Sequence, residues 1–193
     1  MALIDTRDKI LSVASKLFSR YGFHKTSMDE IAKTARKAKG SLYYHFNSKE
    51  DLFKEIVSKE IINLKSQLSL VIADDTFNAS EKIKNYFNLR MKILHEASTY
   101  NETLKADFFE HFDFIDDIRK DFDEWEKVNI RTIFNHGIDS EEFLIKTDIN
   151  KLVDIYIMVL KGLEIPLFVQ EKYDDYLPSF DGLSDIFTKG LSS

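Results

Sequence analysis

The sequence has no cysteine, only 2 prolines and only 6 glycines among its 193 residues. Without cysteine the chain forms no disulfide and offers no thiolate for catalysis or metal binding. Because proline and glycine interrupt regular structure most often, their scarcity predicts long helices instead of many short strands. No run approaches the roughly 18 apolar residues of a membrane-spanning helix. The start of the chain carries Asp5 and Asp8 where a signal peptide is basic, so we expect a cytoplasmic protein with no membrane partner.

The formal net charge is −6, but it is unevenly distributed along the chain. Residues 1–60 contain 12 Lys or Arg and 8 Asp or Glu, so this part is basic and residues 61–193 are acidic. Attraction to phosphate depends on the local patch, because charges are screened over roughly 8 Å at physiological salt. An acidic total therefore does not exclude nucleic-acid binding by the N-terminal part.

Apolar residues recur at three- and four-residue steps in the first 71 residues, which is typical of amphipathic helices. The pattern predicts a helix over 5–21, a second after the capping pair Ser27 and Glu30, a third near 39–46, and a long fourth helix after Ser48. Five further helices are predicted near 78–98, 102–111, 115–136, 148–170 and 178–191. The expected fold is all-α, with about nine helices.

The third predicted helix has two different faces. At about 100° per residue, Leu42 and Phe46 share one side, and Gly40 and Tyr44 point the other way. Both tyrosines cannot join Leu42 and Phe46 in a core on so short a helix. We therefore expect an outward surface of tyrosine, serine and glycine with lysines nearby. Such a surface suits a polyanion such as DNA, whose major groove admits a helix.

Two stretches, "ILSVASKLFSRYGFHKTSMDEIAKTA" and "KGSLYYHFNSKEDLF", resemble the DNA-binding domain of the TetR family of transcriptional regulators. The resemblance covers about residues 7–56 and implies a three-helix helix-turn-helix domain in residues 1–50. Residues 51–193 would be a larger helical domain for effector binding and dimerisation. Position by position, the resemblance places Lys39, Gly40, Ser41, Tyr43, Tyr44 and His45 against bases and phosphates, and Thr26, Ser27 and Lys49 against phosphates.

The chain departs from the family pattern in the turn between the second and third helices. The family usually has Ala-Gly-Val-Ser, whereas this chain has Ala35, Arg36, Lys37 and Ala38. The usual glycine and capping serine are absent. Arg36 and Lys37 are therefore candidate additional phosphate contacts.

The last two long helices predict a homodimer. The run "DINKLVDIYIMVLKGLEIPLFVQ" forms the first of these helices, and apolar residues cover more than half of its circumference. This helix therefore needs burial on two sides. A central helix in a monomeric bundle is the alternative. The resemblance favours a dimer interface, with Leu152, Tyr156, Val159, Leu163, Phe180, Leu183 and Phe187 as its candidate residues.

The segment "LKADFFEHFDFIDDIRKDFDEWEK" combines aromatic and acidic residues. Its periodicity favours a core stripe with a solvated face, but the family's habit of binding inducers in this domain also suggests a pocket. The candidate ligand-binding residues are Phe109, Phe112, Trp125 and Tyr156. No catalytic motif is present, and Asp107 with His111 lacks further metal ligands, so we expect no enzyme, metal or cofactor.

The resemblance therefore implies a TetR-type repressor. It would bind double-stranded DNA at a pseudo-palindromic operator as a homodimer and be released by a small-molecule effector. The alternative is a helical adaptor that keeps the fold and binds only protein.

Overall fold

The computed structural model describes residues 6–109 and 113–192. The fold is all-α, as expected, and the described residues contain no strand. The α-helices are α1 (Thr6–Tyr21), α2 (Met28–Ala35), α3 (Lys39–His45), α4 (Lys49–Ala73), α5 (Ala79–Glu96), α6 (Ser98–Phe109), α7 (Asp116–Asp139), α8 (Ile149–Glu164), α9 (Tyr173–Tyr176) and α10 (Phe180–Leu191). None of these helices is long and apolar enough to cross a membrane.

Contacts group the chain into two compact units, Met1–Ile62 with Ala97–Asp116, and Asn63–Glu96 with Asp117–Ser193. We call them the N-terminal and C-terminal units. Helix α6 thus belongs with the N-terminal helices in its packing, although it lies far along the sequence. The division into functional domains at residue 50 stays a prediction, because it concerns binding and not packing.

The core of the N-terminal unit is aromatic. Phe18 and Phe53 are fully buried and meet edge to face with ring centroids 5.1 Å apart. Phe23 packs on Phe53 at 4.9 Å, and Phe114 contacts both of these rings from the 3₁₀ turn 113–115. Because Phe23 belongs to both the turn 22–27 and this aromatic cluster, the cluster fixes the turn and thereby the start of α2.

Glu60 joins α4 to α6 inside the N-terminal unit. Its carboxylate accepts hydrogen bonds from the backbone amides of Thr99, at 3.2 Å, and Tyr100, at 2.7 Å. These amides lie in the first turn of α6, where no intrahelical partner exists and negative charge is favoured. Burial raises the pKa of Glu60, and the two backbone hydrogen bonds oppose that shift.

The C-terminal helices differ from the sequence expectation in detail. The predicted helix 148–170 is α-helical only to Glu164 and continues as a π-helix over Ile165–Val169. Pro166 lies in this segment, and a proline removes one backbone donor and crowds the preceding turn, so the helical hydrogen-bond pattern changes there. The four-residue helix α9 is not indicated by the sequence pattern.

Candidate nucleic-acid interface

The turn between α2 and α3 forms without a glycine. Ser27 caps α2, and its hydroxyl oxygen accepts from the amide of Glu30 at 3.2 Å. After Ala35 the backbone of Arg36 is left-handed, with φ 56° and ψ 47°, and the amide of Lys37 donates to the carbonyl of Ala32 at 2.9 Å. This is the hydrogen-bond pattern in which helices most often end with glycine. Arg36 therefore occupies a backbone conformation that costs a non-glycine residue roughly 1–2 kcal/mol.

Helix α3 presents the two faces that its sequence predicts. Leu42 is fully buried and Phe46, just after the helix, is 4% exposed. On the other side Tyr44 is 85% exposed and Tyr43 is 44% exposed. Gly40 is also exposed, and a Cβ built on it would meet no atom within 4 Å. The outward surface of α3 is therefore a tyrosine ring beside the open backbone of a glycine one turn earlier.

The candidate lysines all have partners within the protein. Lys39 Nζ lies 2.7 Å from Asp29 Oδ1, and this hydrogen bond raises the pKa of Lys39. Lys37 Nζ donates to the hydroxyl of Thr6 at 2.9 Å. Lys49 Nζ donates to the carbonyl of Phe23 at 2.8 Å, and burial lowers the pKa of Lys49.

The remaining candidates differ in accessibility. Thr26 is buried, and its hydroxyl donates to the carbonyl of Gly22 at 2.8 Å, so a phosphate contact from this hydroxyl would require that bond to break. Ser27 and Arg36 are exposed, whereas Ser41 and His45 are half-buried. The His45 ring packs edge to face against Tyr44, with centroids 5.1 Å apart. Contacts between these residues and DNA stay predictions.

The candidate ligand residues differ in burial and in the rings that they contact. Tyr156 is buried and packs between Phe134 and Phe187, with centroids 5.8 Å and 4.7 Å away. Trp125 is half-buried and stacks on Phe122 at 6.2 Å. Phe109 ends α6, and Phe112 lies outside the described residues.

The C-terminal unit has a groove of about 780 Å³ elsewhere, a volume suited to a drug-sized molecule. On one wall His95 stacks on Tyr173 with centroids 4.0 Å apart and the rings 8° from parallel. A smaller and mostly apolar cavity of about 360 Å³ lies beside the π-helix. Neither Trp125 nor Tyr156 lines either cavity. The groove is lined by Val71, Phe77, Asn85, Asn88, Leu89, Lys92, His95, Glu96, Tyr173, Leu177, Pro178, Phe180 and Asp181.

The candidate dimer residues are also split by burial. Val159 and Leu183 are exposed, and Leu152, Leu163 and Phe187 are half-buried. Tyr156 and Phe180 are instead part of the core of the C-terminal unit, each 5% exposed. The exposed apolar residues of α8 and α10 are Ile155, Met158, Val159, Leu183 and Ile186.

A buried ionic cluster in the C-terminal unit was not anticipated. Arg90 on α5 is fully buried, and its guanidinium donates to Glu126 on α7 at 2.7 and 3.0 Å and to Glu164 on α8 at 2.7 Å. The hydroxyl of Tyr86 donates to Glu126 at 2.7 Å. Burial disfavours the charge on Arg90, but the two glutamates outweigh it, so the pKa of Arg90 is raised well above its ordinary value. The available signal was a charged residue at helical spacing within an apolar stripe: Glu126 lies between Phe122 and Ile130.

Comparison with known families gives a match within the N-terminal unit. The family described as bacterial regulatory proteins, tetR family, matches residues 10–56, which contain most of α1, all of α2 and α3, and the start of α4.

Individual relatives extend this likeness to the whole chain. The chain is 28% identical to the HTH-type transcriptional regulator QacR of Staphylococcus aureus over 192 residues, covering 98% of this chain and 100% of that protein. It is 45% identical over 51 residues to the negative regulator IcaR of a Staphylococcus aureus biofilm operon, covering 26% of this chain and 27% of IcaR. The fold is similar to that of a transcriptional regulator from Cytophaga hutchinsonii, with a TM-score of 0.78 at 23% identity over 95% of this chain and 97% of that one.

Proposed function

Because this chain belongs to the TetR family of transcriptional regulators, we propose that it represses transcription from a pseudo-palindromic operator as a homodimer and leaves it when a small molecule binds. The matched family and relatives are regulators and not enzymes, and the chain is a regulator of this kind. IcaR is a negative regulator, which supports repression. Repression at an operator implies that the protein acts in the cytoplasm.

The outward surface of α3 carries the proposal. The Tyr44 ring is largely exposed and the backbone at Gly40 is open to close approach, while the buried side chains of Leu42 and Phe46 attach the helix to the N-terminal unit. A helix displayed in this way after a tight turn fits a major groove about 12 Å wide. Lys37, Lys39 and Lys49 would exchange their present partners for phosphates, and Arg36 would reach a phosphate from the turn.

Selection of bound sequences from a random DNA pool tests DNA recognition and its symmetry together. We expect two half-sites in opposite orientation, with centres about 34–36 Å apart or a multiple of that distance. Tyr43→Ala should weaken operator binding by roughly 1–3 kcal/mol, the cost of one lost base contact. Tyr21→Ala removes a similarly exposed tyrosine outside α2 and α3 and serves as the control. Equal affinities for both variants and the parent protein would remove Tyr43 from the contact surface.

Gly40→Ala probes the same surface without disturbing the protein. The added methyl group meets no protein atom within 4 Å, so the thermal unfolding midpoint should be maintained or rise. A methyl group between the helix backbone and DNA should nevertheless weaken operator binding. Undiminished binding by Gly40→Ala would contradict close backbone approach at this position.

The dimer would form through the exposed apolar face of α8 and α10. Met158 on α8 is 62% exposed and Ile186 on α10 is 74% exposed, and exposed apolar patches often mark protein–protein interfaces. In sedimentation experiments the parent protein should be a dimer, and Met158→Asp or Ile186→Asp should dissociate it. Val128→Asp, which charges an exposed apolar residue on α7, is the matched control. A monomeric parent protein would refute the dimer.

The effector would bind in the C-terminal unit, either in the groove beside α5 or at a site including Trp125 and Tyr156. A ligand releases the operator only by its different affinities for the two conformations of the dimer. A thermal-shift screen of neutral, cationic and acidic compounds should identify a stabilising ligand. Leu177→Trp, which fills the groove from an exposed position, should abolish stabilisation if the groove is the site. Stabilisation that survives Leu177→Trp would exclude the groove as the binding site.

The adaptor alternative predicts a different salt dependence. If several phosphates are neutralised, the logarithm of DNA affinity should fall steeply and linearly with the logarithm of salt concentration. A protein that shows no such dependence, and that enriches no sequence from the pool, would be an adaptor with the fold of a regulator.

A further inference from the structure

The outward surface of α3 lacks the side chains that most often read purines in the major groove. Arginine or lysine recognises guanine through two hydrogen bonds, and asparagine or glutamine recognises adenine in the same way. Helix α3 has the sequence KGSLYYH, which contains no Arg, Asn or Gln. Its single lysine, Lys39, has its ammonium group 2.7 Å from Asp29 and is thereby partly neutralised.

The surface that α3 does present is largely an aromatic ring. Tyr44 is 85% exposed, and its ring contacts His45 edge to face. Gly40, one turn earlier on the same side, leaves open space beside that ring. A protruding apolar group can therefore enter above Gly40 and contact the face or edge of Tyr44.

One base presents such a group in the major groove. Thymine carries a C5-methyl group there, and it is recognised by apolar contact and not by hydrogen bonding. We propose that α3 recognises thymine through its C5-methyl group, with Tyr44 as the contacting side chain and Gly40 providing the space. Each operator half-site would then contain a thymine under Tyr44. The proposal rests on the proposed DNA-binding function and adds to it the group on DNA that α3 recognises, the C5-methyl group of thymine.

Methyl-deleted DNA tests this contact. Deoxyuridine keeps the base pairing of thymidine and lacks the C5-methyl group, so the thymines of the selected operator can be replaced one at a time. At one position per half-site the change should weaken binding about fourfold, the loss expected for one buried methyl group. At the same position a 5-methylcytosine·G pair should bind more tightly than an unmethylated C·G pair, because it restores the methyl group.

Variants identify the side chain responsible. Tyr44→Ala should bind thymidine and deoxyuridine operators equally, whereas Tyr44→Phe, which keeps the ring, should still discriminate between them. Tyr21→Ala should discriminate as the parent protein does. If the pool yields no bound sequence, DNA binding itself is refuted and the thymine contact with it. If an operator is bound but every deoxyuridine is tolerated, or Tyr44→Ala still discriminates, the thymine contact alone is refuted.

Discussion

The ammonium group of Lys39 lies 2.7 Å from the carboxylate of Asp29, and this ion pair joins the start of α3 to the first turn of α2. Both side chains are more than half exposed, so the pair adds little to stability. Its effect on DNA binding is larger in our interpretation, because a negative charge here opposes an approaching phosphate. If α3 binds DNA as we propose, Asp29 would compete with phosphate for Lys39.

Asp29→Asn should therefore tighten operator binding and make it more dependent on salt, because one more lysine is free to neutralise phosphate. The same change should lower the free energy of unfolding by about 0.3–1 kcal/mol, because Asp29 complements the positive end of α2. Fluorescence anisotropy at several salt concentrations and urea unfolding measure the two effects. Glu124→Gln, which removes an exposed charge on α7, is the control. An unchanged salt slope would show that Lys39 does not reach phosphate.

Arg36→Gly should stabilise the N-terminal unit and weaken DNA binding. Glycine removes the strain of the left-handed backbone at this position, but it also has greater conformational entropy in the unfolded chain. The net increase in the free energy of unfolding should be about 0.5–1 kcal/mol. Loss of the guanidinium removes the proposed phosphate contact, so affinity and the salt slope should both fall. Arg36→Lys keeps charge and strain, and it should change neither property greatly. A less stable Arg36→Gly variant would contradict the assigned backbone conformation.

Glu60 should make stability depend on pH. Burial raises its pKa above the ordinary 4.5, so the folded chain binds this proton more tightly than the unfolded chain. The free energy of unfolding should therefore decrease as the pH rises from 4.5 through the folded pKa, and level off above it.

Glu60→Gln should remove this decrease, because glutamine does not titrate. It should also lower stability by about 1–3 kcal/mol at neutral pH, because Thr99 and Tyr100 donate to different carboxylate oxygens and glutamine replaces one of these oxygens by an NH2 group that cannot accept. Urea unfolding of both proteins between pH 4.5 and 7 measures the difference. Parallel pH profiles for the two proteins would refute the raised pKa.

Gly137→Ala should destabilise the C-terminal unit. A Cβ at this position would lie 2.1 Å from a ring carbon of Phe143, which no side-chain contact tolerates, so the ring must move at a cost of about 1–3 kcal/mol. Phe143→Leu in the same chain should recover part of the loss. A thermal unfolding midpoint equal to that of the parent protein would contradict this packing.

The two faces of α3 could be predicted from the sequence because they depend on local geometry. Leu42 and Phe46 share one side of a short helix by spacing alone, and the structure confirms that they are buried while Tyr44 is exposed. The capping role of Ser27 is confirmed for the same reason, since its partner lies three residues away. Patterns over one or two helical turns contain this information.

The features that the sequence did not reveal depend on which helices become neighbours. Helix α8 is apolar around much of its circumference, so its sequence does not reveal that Tyr156 faces inward while Met158 faces solvent. Arg90 lies 36 residues from Glu126 and 74 from Glu164, and no local pattern pairs them. Arg36 takes a glycine-like conformation because the hydrogen bonds that end α2 require it, although arginine itself disfavours it.

The buried cluster of Arg90, Glu126 and Glu164 restricts how this core can be redesigned. Removing Arg90 takes away the positive charge that both buried glutamates contact, and removing either glutamate takes away an acceptor of the buried guanidinium. Breaking a buried ion pair in this way costs about 3–5 kcal/mol, whereas replacing all members together by apolar residues of similar volume is often neutral or favourable. Single substitutions at these three positions are therefore a poor route to a different interior. In any redesign of this core the three residues must be replaced together or all retained.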